Sequence, residues 1–229
     1  MLKELKKELQ KASNKKKAKD LQRFFKTGPG EYGEGDIFLG LSVPEQRRIA
    51  KKYYNLDLKQ IKELMESKIH EYRLIGLLIL INKYETTNHK KIITHFYLKN
   101  TNNINNWDLV DLSAPNIVGK HLLDKERSVL YKLAKSKNLW EKRISVLACF
   151  AFIRKNDFKD ALKISKILLN DKHDLIHKAV GWMLREVGKR NQKVEEDFLK
   201  KYYKVMPRTM LRYAIEKFSE EKRKFYLKK

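Results

Sequence analysis

A spacing of 35 residues is the feature of this sequence that most constrains its fold. Arg73, Asp108, Arg143, Lys178 and Tyr213 follow one another at this interval. Each begins a similar, largely apolar stretch: RLIGLLI, DLVDLSA, RISVLAC, KAVGWML and YAIEKFS. A fixed period of this length with two helices per unit is typical of an α-solenoid, here of the HEAT type. Because one helical pair cannot bury its apolar face alone, we predict an all-α curved array of about 12–14 helices.

The rest of the chain also favours helices. It contains only 9 Gly and 4 Pro, and apolar residues recur at steps of three and four, as in residues 58–65 and 74–81. We expect a single domain over residues 1–229. Its predicted parts are an N-terminal helical pair (1–26), an ordered Gly-rich loop (27–43) and helical repeats (44–229).

The Gly-rich loop contains a match to the dinucleotide-binding pattern G-x-G-x-x-G at Gly28, Gly30 and Gly33. No strand is predicted before it, and the next helix begins only about ten residues later, so we interpret the match as false. That helix has a clear start, since Ser42 and Glu45 have the spacing of a capping box.

The charge balance points to a polyanionic partner. The chain has 52 Lys+Arg against 28 Asp+Glu, a formal net charge of +24. The basic residues recur in nearly every segment, which favours nucleic acid lying along the fold over a basic tail. The alternative is a lysine-rich composition without a specific partner.

Several other classes of protein are disfavoured. The longest apolar run, residues 74–81, is too short to span a bilayer, and the charged N-terminus has no secretory h-region. A single Cys149 leaves no intramolecular disulfide and no multi-Cys metal site. The six His show no metal-binding spacing. We therefore expect a soluble, cytoplasmic monomer without metal or cofactor, associated with the nucleoid when it is bound to DNA.

The repeat also predicts which residues share a face. Positions one before and three after each anchor lie four apart, on one side of a helix. They hold Tyr72/Gly76, Trp107/Asp111, Lys142/Val146, His177/Gly181 and Arg212/Glu216. Because this row is mostly polar, aromatic or glycine, we expect it to border a basic concave surface, next to the anchor row.

Trp107 and Asp111 are the unusual members of that row. Trp107 stands where other repeats have Tyr, Lys, His or Arg, which favours contact with a base or sugar over a partly buried position at a helix start. Asp111 is an acid on a basic face. It is explained either by an ion pair with Arg143 or Lys178, or by chemistry on a cationic centre. Trp182 occupies a position where earlier repeats have Leu, so core packing is a serious alternative for it, although Gly181 could let a partner approach the ring.

Six segments in order resemble the AlkD-type DNA alkylation repair glycosylases, from about Phe24 to Phe218. They are FFKTGPGEYGEGDIFLGLSVPEQRRIAK, HEYRLIGLLIL, NNWDLVDLSAP, NLWEKRISVLACF, IHKAVGWMLREVGK and MPRTMLRYAIEKF. The resemblance implies a HEAT-like DNA glycosylase of base excision repair. Its catalytic residues would be Asp111, Trp107, Trp182 and Arg143, which makes Trp182 a wall of the site.

The resemblance implies hydrolysis of the N-glycosidic bond of positively charged N3- or N7-alkylated purines in double-stranded DNA, without base flipping and without a cofactor. Asp111 would stabilise the developing oxocarbenium and position water. Arg143 and Lys178 would clamp phosphates or orient Asp111. The expected DNA-binding residues are Lys178, Arg185, Arg73, Lys142, His177 and Arg212.

Two other functions remain open. A non-catalytic HEAT-like module that binds structured or damaged nucleic acid would share the charge and the repeat. It would have no use for the set formed by Trp107, Asp111, Arg143 and Trp182. A protein-binding scaffold would need an apolar or acidic groove rather than a basic one.

Overall fold

The computed structural model describes residues 1–228, and their regular structure is almost entirely helical. The only β feature in this range is an isolated parallel bridge between Ile37 and Ile69. The α-helices are α1 (Leu2–Lys11), α2 (Lys15–Phe24), α3 (Val43–Lys52), α4 (Leu58–Met65), α5 (His70–Thr86), α6 (Lys90–Lys99), α7 (Trp107–Ser113), α8 (Ser128–Ala134), α9 (Leu139–Ala148), α10 (Phe150–Ile153), α11 (Lys159–Ile167), α12 (Asp174–Arg190), α13 (Gln192–Tyr202), α14 (Arg208–Ala214) and α15 (Glu220–Leu227).

The prediction of an all-α repeat fold is confirmed. The anchor residues at the 35-residue spacing lie in α5, α7, α9, α12 and α14, and each of these helices is followed by a partner helix. Only Cys149 separates α9 from the four-residue α10. Counted as one broken helix, these two bring the described total to fourteen, within the predicted range.

The chain divides into two compact units, Met1–Leu109 and Val110–Lys229, and the boundary lies inside α7. In the first unit, α5 packs against α3, α4 and α6. Its first three turns are buried. The first turn carries polar side chains, and from Leu74 onward the buried side chains are apolar on all sides, as expected of a central helix. In the second unit, α12 packs against α9, α13 and α14.

A buried side chain of α5 holds the end of the Gly-rich loop in the first unit. The Glu71 carboxylate accepts hydrogen bonds from the backbone N–H groups of Leu39, Gly40 and Leu41, at 2.8–3.3 Å. Gly40 has φ +90°, and a Cβ atom there would lie 2.3 Å from the carbonyl oxygen of Asn14, the N-cap of α2. Glycine is therefore required at this position, and the loop is ordered against α2 and α5.

The prediction for the two rows of side chains is wrong in part. The anchors Arg73, Asp108 and Arg143 are buried. In the neighbouring row, Tyr72 and Val146 are buried as well. Gly181 of that row serves packing, because a Cβ atom on it would lie 2.4 Å from the carbonyl oxygen of Met210 in α14. Gly181 thus allows close approach of α12 and α14, rather than access of a partner to Trp182.

No helix among residues 1–228 combines the length and apolar character needed to cross a membrane.

Candidate functional site

Trp107 begins α7 and lies in an aromatic cluster of the first unit. Its ring stacks on Phe25, with centroids 5.1 Å apart and planes 14° apart. Phe24 contacts it edge-on at 5.9 Å. The indole Nε1–H donates a 3.3 Å hydrogen bond to the hydroxyl oxygen of Tyr32 in the Gly-rich loop. Trp107 is half-buried, so part of the ring is open to solvent while the rest is held in place.

A buried polar cluster lies behind the aromatic residues. His70 Nε2 is 2.8 Å from the Asp108 carboxylate, and His70 Nδ1 is 3.3 Å from Asp36. Arg73 donates a 2.6 Å hydrogen bond to the same Asp36 oxygen. The imidazole also stacks on Phe38 at 4.6 Å. Since Asp108 follows Trp107 in α7, this cluster fixes the first turn of the helix that carries Trp107.

Arg73 is a correction to the predicted DNA-binding residues. Its side chain is only 4% exposed, is paired with Asp36 and donates to the Ser67 carbonyl oxygen. A guanidinium that is buried and already paired with a carboxylate cannot reach a phosphate without breaking this internal ion pair, which is strongly unfavourable. Arg73 is therefore a structural residue of the first unit.

The charges of the buried cluster stabilise one another. Burial alone lowers the pKa of His70, but the Asp108 and Asp36 carboxylates outweigh it, and the pKa lies above the ordinary value. Burial raises the pKa of Asp36, whereas the hydrogen bond from His70 and the charge of Arg73 lower it by more. The pKa of Asp36 consequently lies below the ordinary value, and the cluster is an ion-paired one.

In the second unit, Asp111 is held by Arg143. Arg143 Nε and Nη2 each donate a 2.8 Å hydrogen bond to a different oxygen of the Asp111 carboxylate. Arg143 Nη1 donates to the Leu175 carbonyl oxygen at 2.5 Å. The Arg143 side chain is 5% exposed and that of Asp111 is 16% exposed. Of the predicted alternatives, Arg143 thus orients Asp111, and its burial leaves it unsuited to clamp a phosphate.

Trp182 is half-buried, so it is not a fully enclosed core residue. Its indole Nε1–H donates a 3.2 Å hydrogen bond to Glu186 one turn later in α12. Lys189 pairs with the same Glu186 oxygen at 2.7 Å. Phe150 contacts the indole in a tilted arrangement at 5.9 Å. The ring is therefore positioned by its own helix and by α10, with part of its surface left accessible.

The other predicted DNA-binding residues all lie in the second unit and differ in how exposed they are. Lys142 pairs with Asp171 and Arg185 with Glu216, and the two basic side chains are 20% and 17% exposed. Of the remaining three, Lys178 and Arg212 are more exposed than these two. Lys178 is 40% exposed and pairs with Asp174 at 2.7 Å, His177 contacts the Asp171 carbonyl oxygen at 2.5 Å, and Arg212 is exposed. Their role in binding DNA stays a prediction.

Sequence reasoning missed several residues that contact the predicted ones. Phe24, Phe25 and Tyr32 surround Trp107, and Glu186 holds Trp182. Phe24, Phe25 and Tyr32 belong to the segment FFKTGPGEYGEGD, whose aromatic residues were the available signal. Within residues 1–228, no cluster of three or more His, Cys, Asp or Glu side chains has an arrangement that could hold a metal ion.

The protein is thus an all-α repeat protein. It has two partly exposed tryptophans, Trp107 and Trp182, and a carboxylate, Asp111, that is oriented by Arg143. A family model described as DNA alkylation repair enzyme matches residues 5–218, and the chain belongs to this family. No curated protein matches the chain significantly.

Solved structures resemble the chain in fold. One, from Enterococcus faecalis and described as a predicted DNA alkylation repair enzyme, has 17% identity and a TM-score of 0.70, covering 91% of this chain and 97% of its own. AlkD2 from Streptococcus mutans has 19% identity and a TM-score of 0.61, with 79% and 91% covered. The smu.31 protein of Streptococcus mutans UA159 has 19% identity and a TM-score of 0.60, with 78% and 93% covered.

Proposed function

We propose that this member of the DNA alkylation repair family is a DNA glycosylase. It hydrolyses the N-glycosidic bond of positively charged N3- and N7-alkylated purines in duplex DNA, and it does so while the base remains stacked. The observation that carries the proposal is the bidentate pair of Arg143 with Asp111, which fixes a carboxylate four residues after Trp107 in α7. Residues four apart lie on one face of a helix.

The chemistry suits such a carboxylate. An alkylated purine that carries a positive charge leaves as a neutral base, so its departure needs little help from a general acid. The bond electrons leave with the base, and positive charge develops on the sugar. A carboxylate held in fixed geometry stabilises this charge without reorganising. Asp111 also accepts the proton of the water that adds its hydroxyl to C1′. The products are the free base and an abasic site.

The aromatic residues would recognise the same charge. The face of an indole attracts cations, and Trp is the best of the side chains in this respect. Trp107 and Trp182 each leave part of the ring accessible, and from the resemblance of their segments to AlkD-type glycosylases we assign each of them to contact with damaged DNA. The positive charge of the chain would hold the phosphodiester, which makes affinity dependent on salt.

The direct test measures release of 7-methylguanine from a methylated duplex by Asp111→Asn and by the unmodified protein. We expect the variant to keep its affinity for undamaged DNA and to lose at least about a hundredfold in release, the scale of a lost electrostatic stabiliser. Full release by the variant would overturn the role of Asp111.

A matched control is available in the same unit. Asp157 pairs with Arg127 at 2.6 Å and its side chain is 40% exposed. Asp157→Asn therefore also removes a carboxylate from an arginine, but it should leave release within about twofold of the unmodified protein. Salt-dependent DNA binding without any release by the unmodified protein would favour the non-catalytic binding module instead.

A further inference from the structure

An open groove lies between α11 and α13 in the second unit. Its lining residues belong to these two helices, so it shares no helix with Asp111, Arg143 or Trp182. The volume of the groove is about 320 Å³. An engineered cavity of about 150 Å³ in another protein holds one benzene ring. The groove therefore has room for large apolar side chains of a partner.

The floor of the groove is formed by an apolar row of α13. Val194, Phe198 and Tyr202 follow one another at steps of four, which places them along one side of the helix. The rings of Phe198 and Tyr202 contact each other, with centroids 4.8 Å apart. Leu162 lines the groove from α11. Since Val194, Tyr202 and Leu162 are only half-buried, a partner that covers this floor would remove apolar surface from water, which is favourable.

The rim of the groove is basic and consists of Lys163, Lys166 and Lys201. All three lysines are exposed, and none of them takes part in an ion pair within residues 1–228. The ammonium of Lys166 lies 5.9 Å from the centroid of the Tyr202 ring. Positive charge therefore lies directly beside the apolar floor.

One acidic residue, Asp197, also lines the groove. Its carboxylate pairs with Lys193 at 3.1 Å and with Lys200 at 3.7 Å. Because these two ammonium groups already neutralise Asp197, the three lysines of the rim keep their excess of positive charge.

An acidic peptide fits this groove better than nucleic acid does. A duplex presents its charged backbone to the outside and has no apolar side chain that could fill the floor. A single strand binds by stacking its bases on accessible aromatic rings, whereas Phe198 is only 7% exposed and Tyr202 is half-buried beside it. A peptide can supply both an apolar side chain for the floor and carboxylates for the lysines.

We propose that the groove between α11 and α13 binds an acidic peptide segment of another protein. An apolar side chain of this segment fills the floor, and neighbouring carboxylates pair with Lys163, Lys166 and Lys201. Charge pairs beside an apolar contact are screened less than pairs in open solvent. The binding needs no residue of the candidate site, so it goes beyond the proposed glycosylase activity and does not rest on it.

The first experiment identifies the peptides that the protein selects. A displayed library of short random peptides is selected on the whole immobilised chain at about 0.15 M salt, where the Debye length is about 8 Å and remote attraction to a basic surface is weak. We expect enrichment of peptides that carry several Asp or Glu residues beside a Leu, Phe or Trp. Enriched peptides without this combination, or no enrichment, would overturn the proposal.

The second experiment locates the binding site with an enriched peptide that is labelled with fluorescein and followed by anisotropy. The double variant Lys166→Glu/Lys201→Glu should weaken binding at least about tenfold, because it places carboxylates opposite carboxylates. Lys132→Glu/Lys135→Glu changes the net charge equally, at two exposed lysines outside the groove, and should weaken binding less than about twofold. Equal losses would indicate attraction to the whole basic surface and would overturn the proposal.

The apolar floor is tested separately with the same peptide. Leu162→Ala should weaken binding about threefold to tenfold, because it removes apolar area from the contact. Leu162→Met keeps the volume of the side chain and should retain affinity within about twofold. Ile92→Ala removes an aliphatic side chain of α6 that is 54% exposed, and it should leave affinity unchanged. Full affinity of Leu162→Ala would refute the apolar contact.

The charge-reversal variants also distinguish other occupants of the groove. A dimer of the unmodified protein that Lys166→Glu/Lys201→Glu alone abolishes in sedimentation would assign the groove to a second copy of the chain. A loss of affinity for single-stranded DNA in this variant, absent from Lys132→Glu/Lys135→Glu, would assign it to nucleic acid. We expect neither result, and either one would overturn the proposal. Release of 7-methylguanine should be equal in the two double variants, so the docking site and the glycosylase activity can fail independently.

Discussion

Arg143 and Asp111 are joined by two parallel hydrogen bonds, from Nε to one carboxylate oxygen and from Nη2 to the other, each 2.8 Å long. The planar guanidinium matches the carboxylate in a way that a lysine ammonium cannot. The pair is nearly closed to solvent on the arginine side and more open on the aspartate side. The positive partner thus positions the negative one, and the carboxylate is the more accessible of the two.

Replacing Arg143 with Lys keeps the charge and removes the bidentate geometry. We expect release of 7-methylguanine to fall about tenfold to a hundredfold, mainly in kcat, because Asp111 loses its fixed orientation. The Leu175 carbonyl oxygen loses a donor too, so the free energy of unfolding should fall by about 1–3 kcal/mol. Single-turnover kinetics and urea unfolding measure the two effects. A change in KM alone would contradict an orienting role.

Removing the indole of Trp107 should affect catalysis more than DNA binding. In Trp107→Ala we expect release to drop at least about tenfold, while affinity for undamaged duplex changes less than about threefold, since a cationic sugar gains most from the ring. Trp107→Phe retains an aromatic face and should recover part of the release. Equal losses in release and in affinity for undamaged DNA would instead indicate a general DNA contact.

Glu195 makes stability depend on pH. Its side chain is buried against Gly188, and burial raises its pKa to about 9, with the nearby Glu196 adding to the effect. The ordinary pKa of 4.5 applies to the unfolded state and the value of about 9 to the folded state. Between these two pH values, the folded state binds a proton that the unfolded state has released. Stability contributed by this group is therefore present at low pH and is lost as the pH rises through this window.

The Glu195→Gln variant cannot ionise, so its unfolding free energy should vary less between pH 5 and 9. At pH 8 it should exceed that of the unmodified protein by about 1–3 kcal/mol. Thermal unfolding followed by circular dichroism at several pH values measures this difference. Glu220→Gln, at a position that is 79% exposed in its side chain, serves as the control. Parallel pH profiles for Glu195→Gln and the unmodified protein would show that Glu195 ionises normally.

Gly181 should tolerate no side chain. In Gly181→Ala the new Cβ would lie 2.4 Å from the Met210 carbonyl oxygen and 2.5 Å from the Tyr213 Cβ, and neither atom is the end of a flexible side chain. Separation of α12 from α14 should lower the free energy of unfolding by about 1–3 kcal/mol. Gly28→Ala meets only the carboxylate end of Glu31 at 3.0 Å and should be nearly neutral. Chemical denaturation distinguishes the two variants.

The helical repeat could be predicted from the sequence because apolar spacing and the 35-residue period are both local patterns. The orientation of individual side chains was harder to predict from the sequence. Arg73 and Arg143 occupy equivalent repeat positions, yet one pairs with Asp36 of a distant loop and the other with Asp111. Both arginines are buried, but the carboxylate that each one pairs with depends on how its surroundings pack, and a single sequence does not contain that information.

The candidate site also contains some residues that could be predicted from the sequence and others that could not. Trp107, Asp111 and Trp182 could be selected because each departs from the residue type of its row. Phe24 and Tyr32 could not, since their proximity to Trp107 arises from the way the Gly-rich loop and α2 pack on α5. Their distance of more than seventy positions along the chain leaves no periodic signal.

The buried side chains of residues 1–228 include more carboxyl groups than arginines: Asp36, Glu71, Asp108, Asp160 and Glu195 against Arg73 and Arg143. The solvent-facing surface is accordingly more positive than the composition alone suggests. Such a surface attracts any stretch of duplex, damaged or not. For a protein that seeks rare lesions, most encounters would then be with intact DNA, and the ionic strength of the cell would set how long each one lasts and how far the protein slides before it dissociates.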